Sequence, residues 1–326
     1  MKIGITYDLK SDYLKEGFTE EEAAEFDRED TIDAIDNALI ELGFQTDRIG
    51  HIRNLIDRLS KGHRWDLVFN ICEGMYGLGR EAQVPSVLDV YRIPYVFSDS
   101  VVLGFALHKA FTKRIVRDAG IATPDFCMIN NSNDVAKVDI PFPLFLKPLA
   151  EGTSKGVASD SVVNNKDELK KTADKLLLKF NQPVLVERYM PGREFTVALI
   201  GTGKKATALG VMEVILSHEA EQGVYSYYNK ENYKKVVKYS LVEDEIGQSC
   251  KQLALKVWTL LECRDAGRLD IRLDLDGTPN FIEINPLAGL HPEHSDLPIM
   301  ARLQGISFVE IIKMIMDSAT ERIKNI

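Results

Sequence analysis

Apolar and polar positions follow two different rhythms along the first hundred residues. Short, nearly continuous apolar runs predict strands, and apolar residues that recur every three to four positions predict helices. The predicted strands are residues 2–7, 44–49 and 66–72, and the predicted helices are residues 30–42 and 52–59. Strands that alternate with helices indicate a parallel sheet with right-handed crossovers. The acidic segment 10–30 has no clear period, so we expect a loop or a surface helix there.

From about residue 101 the pattern changes to helices mixed with hairpin-like pairs of strands, which favours an α+β arrangement. Helices are predicted at 108–119, 167–180, 245–261 and 307–316, and strands at 126–129, 145–148, 184–189, 194–200, 206–214, 268–275 and 280–284. We therefore expect an α/β N-terminal parallel-sheet domain over residues 1–103, followed by an α+β domain. The second domain divides into a small subdomain at 104–182 and a C-terminal subdomain at 183–326.

The composition narrows the class of protein. Apolar residues make up 45% of the 326-residue chain and charged residues 27%, which is typical of a globular protein and excludes a disordered one. The chain has 40 Lys and Arg against 49 Asp and Glu, a formal net charge of −9. We expect no nucleic-acid partner, because gripping phosphates needs a clustered basic surface.

Cysteine spacing and apolar run lengths bear on the compartment. The four cysteines are scattered without a C-x-x-C pair, which predicts free thiols in a reducing compartment. No apolar run approaches the ~18 residues of a membrane span, and the first residues do not resemble a signal peptide. We therefore expect a cytoplasmic protein without a membrane partner.

The strongest candidate site is a predicted hairpin. The Asp276-Gly277 pair between two alternating runs predicts a two-residue turn. In that register two carboxylates oppose each other and share a face with an arginine and an asparagine: Asp270, Glu283, Arg268 and Asn285. The opposite face is apolar, with Leu269, Ile271, Ile282 and Ile284. Opposed carboxylates repel unless a cation compensates, and an all-oxygen donor set suits Mg²⁺. The alternative is an ordinary hairpin with one wet, charged face.

Three further segments are candidate ligand loops. Lys147 ends an apolar strand, and residues 151–156 after it form a small glycine-containing loop whose backbone N–H groups can wrap a phosphate, although it is no Walker A sequence. Glu187 and Glu194 flank a Pro-Gly turn between two strands and can hold adenine and ribose. The alternatives are a polar turn and simple edge charges. Glycines after the third strand do not fit the dinucleotide fingerprint, so an NAD-dependent oxidoreductase fits poorly.

Taken together, these segments resemble the ATP-grasp superfamily and, within it, the D-alanine–D-alanine ligase family. The resemblance covers nearly the whole chain and is strongest after residue 108. The matching pieces are residues 68–70, 108–113, 147–148, 151–156, 191–197, 267–270 and 283–286, the last leading to Gly289. The α+β domain is accordingly expected to be an ATP-grasp domain. The order and spacing of these matching segments along the chain are hard to obtain by chance.

The resemblance implies a role for each matching residue. Residues implied to bind ATP are Lys109, Lys147, Glu151, Ser154, Glu187, Met190, Glu194 and Lys230. Residues implied to hold two Mg²⁺ ions, or Mn²⁺, are Asp270, Glu283 and Asn285. Arg268 and the backbone N–H of Gly289 are implied to stabilise a tetrahedral oxyanion, while Ser154 and Lys230 act on the transferred phosphoryl group. Ser295 is implied to hold the carboxylate of the second amino acid.

The implied enzyme is an ATP-dependent carboxylate–amine ligase that joins two small-molecule amino acids through an acyl-phosphate. Family analogy also implies a homodimer. Two alternatives stay open: a ligase of the same chemistry that joins other amino acids or small acids in secondary metabolism, and a nucleotide-binding module without catalysis. Retention of Arg268 argues against the second, because a mere ATP binder needs no oxyanion donor.

The departures from the family lie on the amino-acid side of the site. The glutamate expected after the first strand is missing, Glu73 stands where a histidine is expected, Glu231 replaces a tyrosine, and residues 287–294 are longer and carry His291. We expect Glu73 to face the ammonium group of the first substrate, aided by Glu81. Otherwise that acid comes from the segment 10–30, with Asp8, Asp12 and Glu16 as first candidates.

Overall fold

A parallel sheet forms the N-terminal region of the protein, whose structure is a computed structural model describing residues 1–324. Its strand order is β2-β1-β3, with β1 Lys2–Tyr7, β2 Gln45–Gly50 and β3 Leu67–Ile71. The helices of this region are α1 Lys10–Lys15, α2 Glu29–Glu41, α3 Ile52–Ser60, α4 Gln83–Val90 and α5 Ser100–Leu107. All five residues of β3 are buried, as expected for a strand covered on both faces.

A four-stranded antiparallel sheet follows. Its order is β4-β7-β5-β6, with β4 Phe126–Ile129, β5 Leu144–Pro148, β6 Val162–Val163 and β7 Val184–Arg188. Helix α6, Lys109–Asp118, precedes it, and α7, Lys166–Phe180, packs its apolar side onto it. Because β7 lies between β4 and β5, this sheet extends to Arg188, a few residues beyond the predicted subdomain boundary after residue 182.

A five-stranded antiparallel sheet forms the larger part of the C-terminal half. Its order is β10-β9-β8-β11-β12, with β8 Glu194–Ile200, β9 Thr207–Leu216, β10 Val237–Leu241, β11 Ala266–Leu273 and β12 Pro279–Asn285. The helices are α8 Tyr227–Glu231, α9 Tyr233–Val236, α10 Glu245–Leu260, α11 Asp296–Leu303 and α12 Phe308–Lys324. Trp258 of α10 is fully buried against this sheet and donates its indole N–H to the carbonyl of Gly201.

The largest apolar core joins the two ends of the chain. Ile32 and Ile35 of α2 belong to the same buried cluster as Ile312 and Ile315 of α12, together with β1 and β3. The last helix therefore packs with the N-terminal region rather than with the five-stranded sheet alone.

The predicted fold class, a parallel-sheet α/β region followed by α+β regions, is confirmed. The acidic segment 10–30 contains the short helix α1 and a series of turns, close to the expected loop or surface helix. The sequence analysis did not predict α4, α5, α8, α9, α11, β6 or β10. All four cysteines are free thiols, as predicted. Among the described residues, no helix has the length and apolar character to cross a membrane.

Candidate active site

The hairpin of β11 and β12 brings together the polar residues that the sequence analysis grouped. Asp270 pairs with Glu283, and Arg268 pairs with Asn285, in the predicted register. All four side chains are partly buried and directed at the space between the two antiparallel sheets, where they line its cavities. The hairpin is therefore not an ordinary one with a solvated charged face.

The predicted two-residue turn of this hairpin is wrong. Leu273 pairs with Pro279, so the loop holds five residues, and a bulge next to Ile271 shifts the register by one and restores the predicted pairing beyond it. The bulge exchanges two side chains: Phe281 is buried in the core, whereas Ile282, predicted on the core face, lines the cavity between the sheets. Bulges commonly re-aim side chains beside functional sites.

Lysines and carboxylates form a buried chain of charges where the two antiparallel sheets meet. Lys147 Nζ lies 3.0 Å from Glu283 Oε2 and 3.3 Å from Glu187 Oε2. Lys113 Nζ lies 2.5 Å from the other oxygen of Glu187, and Lys109 Nζ lies 3.9 Å from Glu283 Oε2. Burial opposes the charge on Lys147, yet its two carboxylate partners hold its pKa above the usual value. Burial likewise opposes the charge on Glu283, yet the lysines hold its pKa below the usual range.

Arg268 lies between two carboxylates on the other side of the hairpin. Its Nη1 is 3.0 Å from Asp270 Oδ2 and 3.0 Å from Asp296 Oδ2, and Thr196 donates a hydrogen bond of 2.9 Å to Asp270. Burial and the charge of Glu283 raise the pKa of Asp270 to about 6, despite the opposing effect of Arg268. A further positive charge beside Asp270 and Glu283 would therefore be favourable, because Arg268 does not offset burial and the repulsion between the two carboxylates.

A small cavity of about 90 Å³ lies between the two antiparallel sheets. All eight residues predicted to bind ATP line it: Lys109, Lys147, Glu151, Ser154, Glu187, Met190, Glu194 and Lys230. Glu187 is 3% exposed and both of its oxygens face lysines, so here it orients those lysines rather than standing free for an adenine amino group. Glu194 Oε2 lies 3.7 Å from Arg272 Nε.

The glycine-containing loop 151–156 closes one side of this cavity. Ser154 Oγ donates a hydrogen bond of 2.9 Å to the carbonyl of Tyr225, and Tyr227 N–H donates one of 3.2 Å to the carbonyl of Val157. Lys109 Nζ donates to the carbonyl of Glu151 at 2.5 Å. The loop therefore contacts the polar stretch 217–235, which carries Lys230.

A buried ion network fastens the acidic N-terminal segment to this loop, and the sequence analysis missed it. Glu25 lies 2.7 Å from Arg80 and 3.3 Å from Lys155, and it accepts a hydrogen bond from the N–H of Gly152. Lys155 also lies 2.5 Å from Glu151, so the side chain of Glu151 faces this network. The acidic character of segment 10–30 was visible in the sequence, but nothing there singled out Glu25.

A larger cavity of about 600 Å³ adjoins the small one on the N-terminal side. Arg268, Gly289 and Ser295 line it, together with Glu283 and Asn285. Ser295 Oγ accepts a hydrogen bond of 2.9 Å from the backbone N–H of His291. A Cβ at Gly289 would lie 2.9 Å from Ser295 Oγ, so a side chain there would crowd the hydroxyl.

The far end of the larger cavity is acidic. Glu73, Glu81 and Asp27 line it, so the structure places Glu73, the residue predicted to face the first substrate, in this cavity together with Glu81. Burial, followed by the charge of Glu81, raises the pKa of Glu73 well above its usual range. Burial raises the pKa of Glu81 to about 7 and, with the charge of Asp8, that of Asp27 to about 8.

The three fallback candidates in segment 10–30 and its flank lie outside the cavity wall. Asp8 is buried and accepts hydrogen bonds from Tyr13 OH and the N–H of Gly74. Asp12 forms a surface pair with its neighbour at 15, and Glu16 is exposed. The segment contributes Glu25 and Asp27 to the cavity instead.

These features define an ATP-grasp ligase. Two antiparallel sheets enclose a glycine-containing loop suited to binding phosphate, a network of lysines and carboxylates, and a polar hairpin. Comparison with known proteins agrees. The family described as "D-ala D-ala ligase C-terminus" matches residues 115–317, and a D-alanine–D-alanine ligase of Aquifex aeolicus is 33% identical over 285 residues, 87% of this chain and 92% of that protein. The chain belongs to the D-alanine–D-alanine ligase family and is an ATP-dependent ligase, as predicted.

Other relatives and solved structures extend the comparison. An uncharacterized protein of Sinorhizobium fredii is 30% identical, covering 78% of this chain and 75% of that protein. The crystal structure of a D-alanine–D-alanine ligase of Bacillus anthracis complexed with ATP covers 100% of this chain and 99% of its own, with a TM-score of 0.75 and 23% identity. A D-Ala:D-Ser ligase of Enterococcus faecalis has a TM-score of 0.73, 20% identity and coverage of 98% and 99%. These structures share the fold.

Proposed function

We propose that the protein joins two molecules of D-alanine into D-alanyl-D-alanine. The γ-phosphoryl group of ATP passes to the carboxylate of the first amino acid, giving ADP and an acyl-phosphate. The amine of the second amino acid then forms the C–N bond, phosphate leaves with the C–O electrons, and the nitrogen loses a proton. The names of the relatives supply the substrate.

The observation that carries this proposal is the meeting of two cavities at one polar hairpin. Glu283 and Arg268 line both the small cavity with the eight ATP-type residues and the larger cavity. A phosphoryl group held in the first is therefore next to a carboxylate held in the second. This proximity favours phosphoryl transfer, since catalysis of that step depends on positioning and charge.

The hairpin donors fit Mg²⁺. Within residues 1–324 no group of three His, Cys, Asp or Glu side chains is arranged to hold a metal ion, and the hairpin offers two carboxylates, Asp270 and Glu283, with the amide of Asn285. Mg²⁺ commonly takes one or two carboxylates and completes its octahedron with water and substrate phosphates. The buried Nδ2 of Asn285 has no hydrogen-bond partner in the described chain, so its amide is not locked in another role. When bound, Mg²⁺ would neutralise charge on the phosphoryl group.

The side chains of the cleft divide the remaining work. Lys109, Lys147 and Lys230 bring positive charge to the nucleotide phosphates. Arg268 and the N–H of Gly289 stabilise the oxyanion that forms when the amine attacks, because donors preorganised in a buried site act most strongly where charge develops. We also propose, by family analogy, the three-part domain division with the boundary moved to Arg188, and a homodimer that sedimentation can test.

A phosphate-release assay with ATP, Mg²⁺ and D-alanine tests the function. We expect ADP and phosphate in equal amounts, with D-alanyl-D-alanine identified by mass spectrometry. Arg268→Lys should lower kcat by about 10²–10³-fold, while Arg53→Lys, an exposed arginine on α3, should not change it. Nucleotide binding without phosphate release, for any pair of amino acids, would instead show a binding module without catalysis.

A further inference from the structure

The acidic end of the larger cavity holds more carboxyl groups than an alanine needs. Asp27, Glu73 and Glu81 all line it, and within residues 1–324 none of these three carboxylates has a hydrogen-bond or ion-pair partner on its side chain. Glu81 is only 9% exposed. Buried carboxylates are normally paired, because leaving a buried charge without a partner costs free energy.

Cations close to this end are already engaged. Arg80 pairs with Glu25 at 2.7 Å, and Lys155 with Glu151 at 2.5 Å. On the rim, Lys10 lies 2.9 Å from the carboxylate of Glu20. Arg28 lies 2.6 Å from the carboxylate of Asp30. Lys109 points to the carbonyl of Glu151 and to Glu283. The three unpaired carboxylates are therefore left for whatever enters the cavity.

The crowding of these carboxyl groups in a buried site is reflected in their raised pKa values. Burial raises the pKa of Glu81 to about 7 and that of Asp27 to about 8, so without a positive partner they hold protons near neutrality. A single α-ammonium group can neutralise one of the three carboxylates. A ligand with a second positive group would neutralise another.

We propose that the first-substrate position of this ligase also takes a basic amino acid, whose α-ammonium group and side-chain ammonium or guanidinium group are shared among Asp27, Glu73 and Glu81. The inference rests on the proposed ligase function, and it extends the substrates beyond D-alanine. The cavity of about 600 Å³ is within the range of sites that enclose ligands larger than alanine. The acyl-phosphate and peptide-bond steps are those given above, with the lysine carboxylate as the phosphoryl acceptor.

The decisive comparison is between lysine and norleucine, which has the same carbon chain without the ammonium group. Each enantiomer of both is offered as first substrate, with ATP, Mg²⁺ and D-alanine as the second. We expect kcat/KM for one lysine enantiomer to exceed that for its norleucine counterpart by about tenfold or more, the size of one charge-assisted hydrogen bond. Equal kcat/KM for the two compounds would overturn the proposal.

Variants assign the discrimination to the acidic residues. Glu81→Gln and Glu73→Gln should each lower the lysine-to-norleucine ratio by about tenfold while KM for ATP stays constant. The matched control is Glu41→Gln, an exposed glutamate at the end of α2, which should leave the ratio unchanged. An unchanged ratio in both cavity variants would contradict recognition at this end of the cavity.

Calorimetry separates failure of this inference from failure of the ligase function. The protein is titrated with lysine and with norleucine in the presence of a non-hydrolysable ATP analogue. Tighter binding of lysine, lost in Glu81→Gln, supports the inference even if no dipeptide forms. Dipeptide formation from D-alanine without any preference for lysine over norleucine, in turnover or in binding, rejects the inference and leaves the ligase function standing.

Discussion

Lys147 contacts carboxylates from both antiparallel sheets, Glu187 on β7 and Glu283 on β12. Removing one partner of a buried charge pair is costly, because the other charge stays buried and unpaired. The same lysine therefore links the two sheets and lies in the wall of the proposed nucleotide site. One contact thus serves both the stability of the fold and the proposed catalysis.

Substitutions in the hairpin test the assigned metal ligands. We expect Asp270→Asn and Glu283→Gln to leave the circular-dichroism spectrum unchanged and to lower turnover by at least about a hundredfold, since an amide lacks the negative charge that a carboxylate offers to Mg²⁺. Asp274→Asn is the matched control, because that carboxylate caps the hairpin loop through backbone N–H groups and an amide oxygen can do the same. Turnover near wild type in either ligand variant would disprove the assignment.

Asp27 makes stability depend on pH. Its pKa is raised to about 8 by burial and by the charge of Asp8, so the folded state binds a proton more tightly than the unfolded state. The stabilising effect is complete below about pH 4 and is lost as the pH rises through about 8. Asp27→Asn should therefore gain stability relative to wild type between pH 5 and 9, measured as Tm, while Asp12→Asn at the surface should not. A constant Tm difference across this range would contradict the raised pKa.

Residues within one strand were predictable and residues joined across the fold were not. Arg268 and Asp270 fall on one face of β11 because strand side chains alternate with a period of two. Glu25 reaches Gly152 across 127 positions of sequence, and no local pattern encodes such a contact. Resemblance to the family supplied Lys109 and Lys230, but Arg80 and Asp27 became visible only in the structure.

Elements show a related limit. Most predicted strands and helices lie within two residues of their observed bounds, because apolar period and glycine or proline punctuation act locally. The hairpin register was right for a partly wrong reason: Asp274 accepts hydrogen bonds from the N–H groups of Asp276 and Thr278, which lengthens the loop, and the bulge compensates. Helix α5 was missed because its apolar residues show no single face.

Two segments line one side of the small cavity, and we expect them to act as lids. The loop 151–156 and the stretch 217–235 touch each other through Ser154 and the carbonyl of Tyr225, and both are rich in polar residues. We expect amide hydrogen exchange in both segments to slow when ATP and Mg²⁺ are added, because a lid ordered by ligand opens less often. Exchange in β3, which is buried, serves as the control. Equal exchange with and without nucleotide would show that neither segment is a lid.

On the scale of the whole molecule, one buried aspartate joins three regions. Asp265, at the start of β11, accepts hydrogen bonds of 2.8 Å from the N–H of Phe97, from Arg322 and from Ser318. Thr202 contacts the same carboxylate at 3.3 Å. The parallel-sheet region, the five-stranded sheet and α12 are therefore tied at a single side chain.

Replacing this aspartate should destabilise the protein as a whole. We expect Asp265→Ala to lower the free energy of unfolding by about 3–5 kcal/mol, because it leaves the guanidinium of Arg322 without its carboxylate. Ser318→Ala should cost about 1 kcal/mol and remain measurable if the first variant does not fold. Asp317→Ala, which removes an exposed pair with Lys313, should cost less than about 1 kcal/mol. Denaturant unfolding gives all three values, and similar values for the two aspartate variants would contradict the role of Asp265.

The packing of α12 against α2 also affects how the chain folds while it is being synthesised. A ribosome releases the N-terminal sheet first, and domains generally fold as they emerge. Here Ile32 and Ile35 share their core with Ile312 and Ile315, which are translated far later. Part of the apolar surface of the nascent N-terminal region therefore stays exposed to solvent until the end of α12 has left the exit tunnel. That interval is when the chain depends most on chaperones and is most exposed to aggregation.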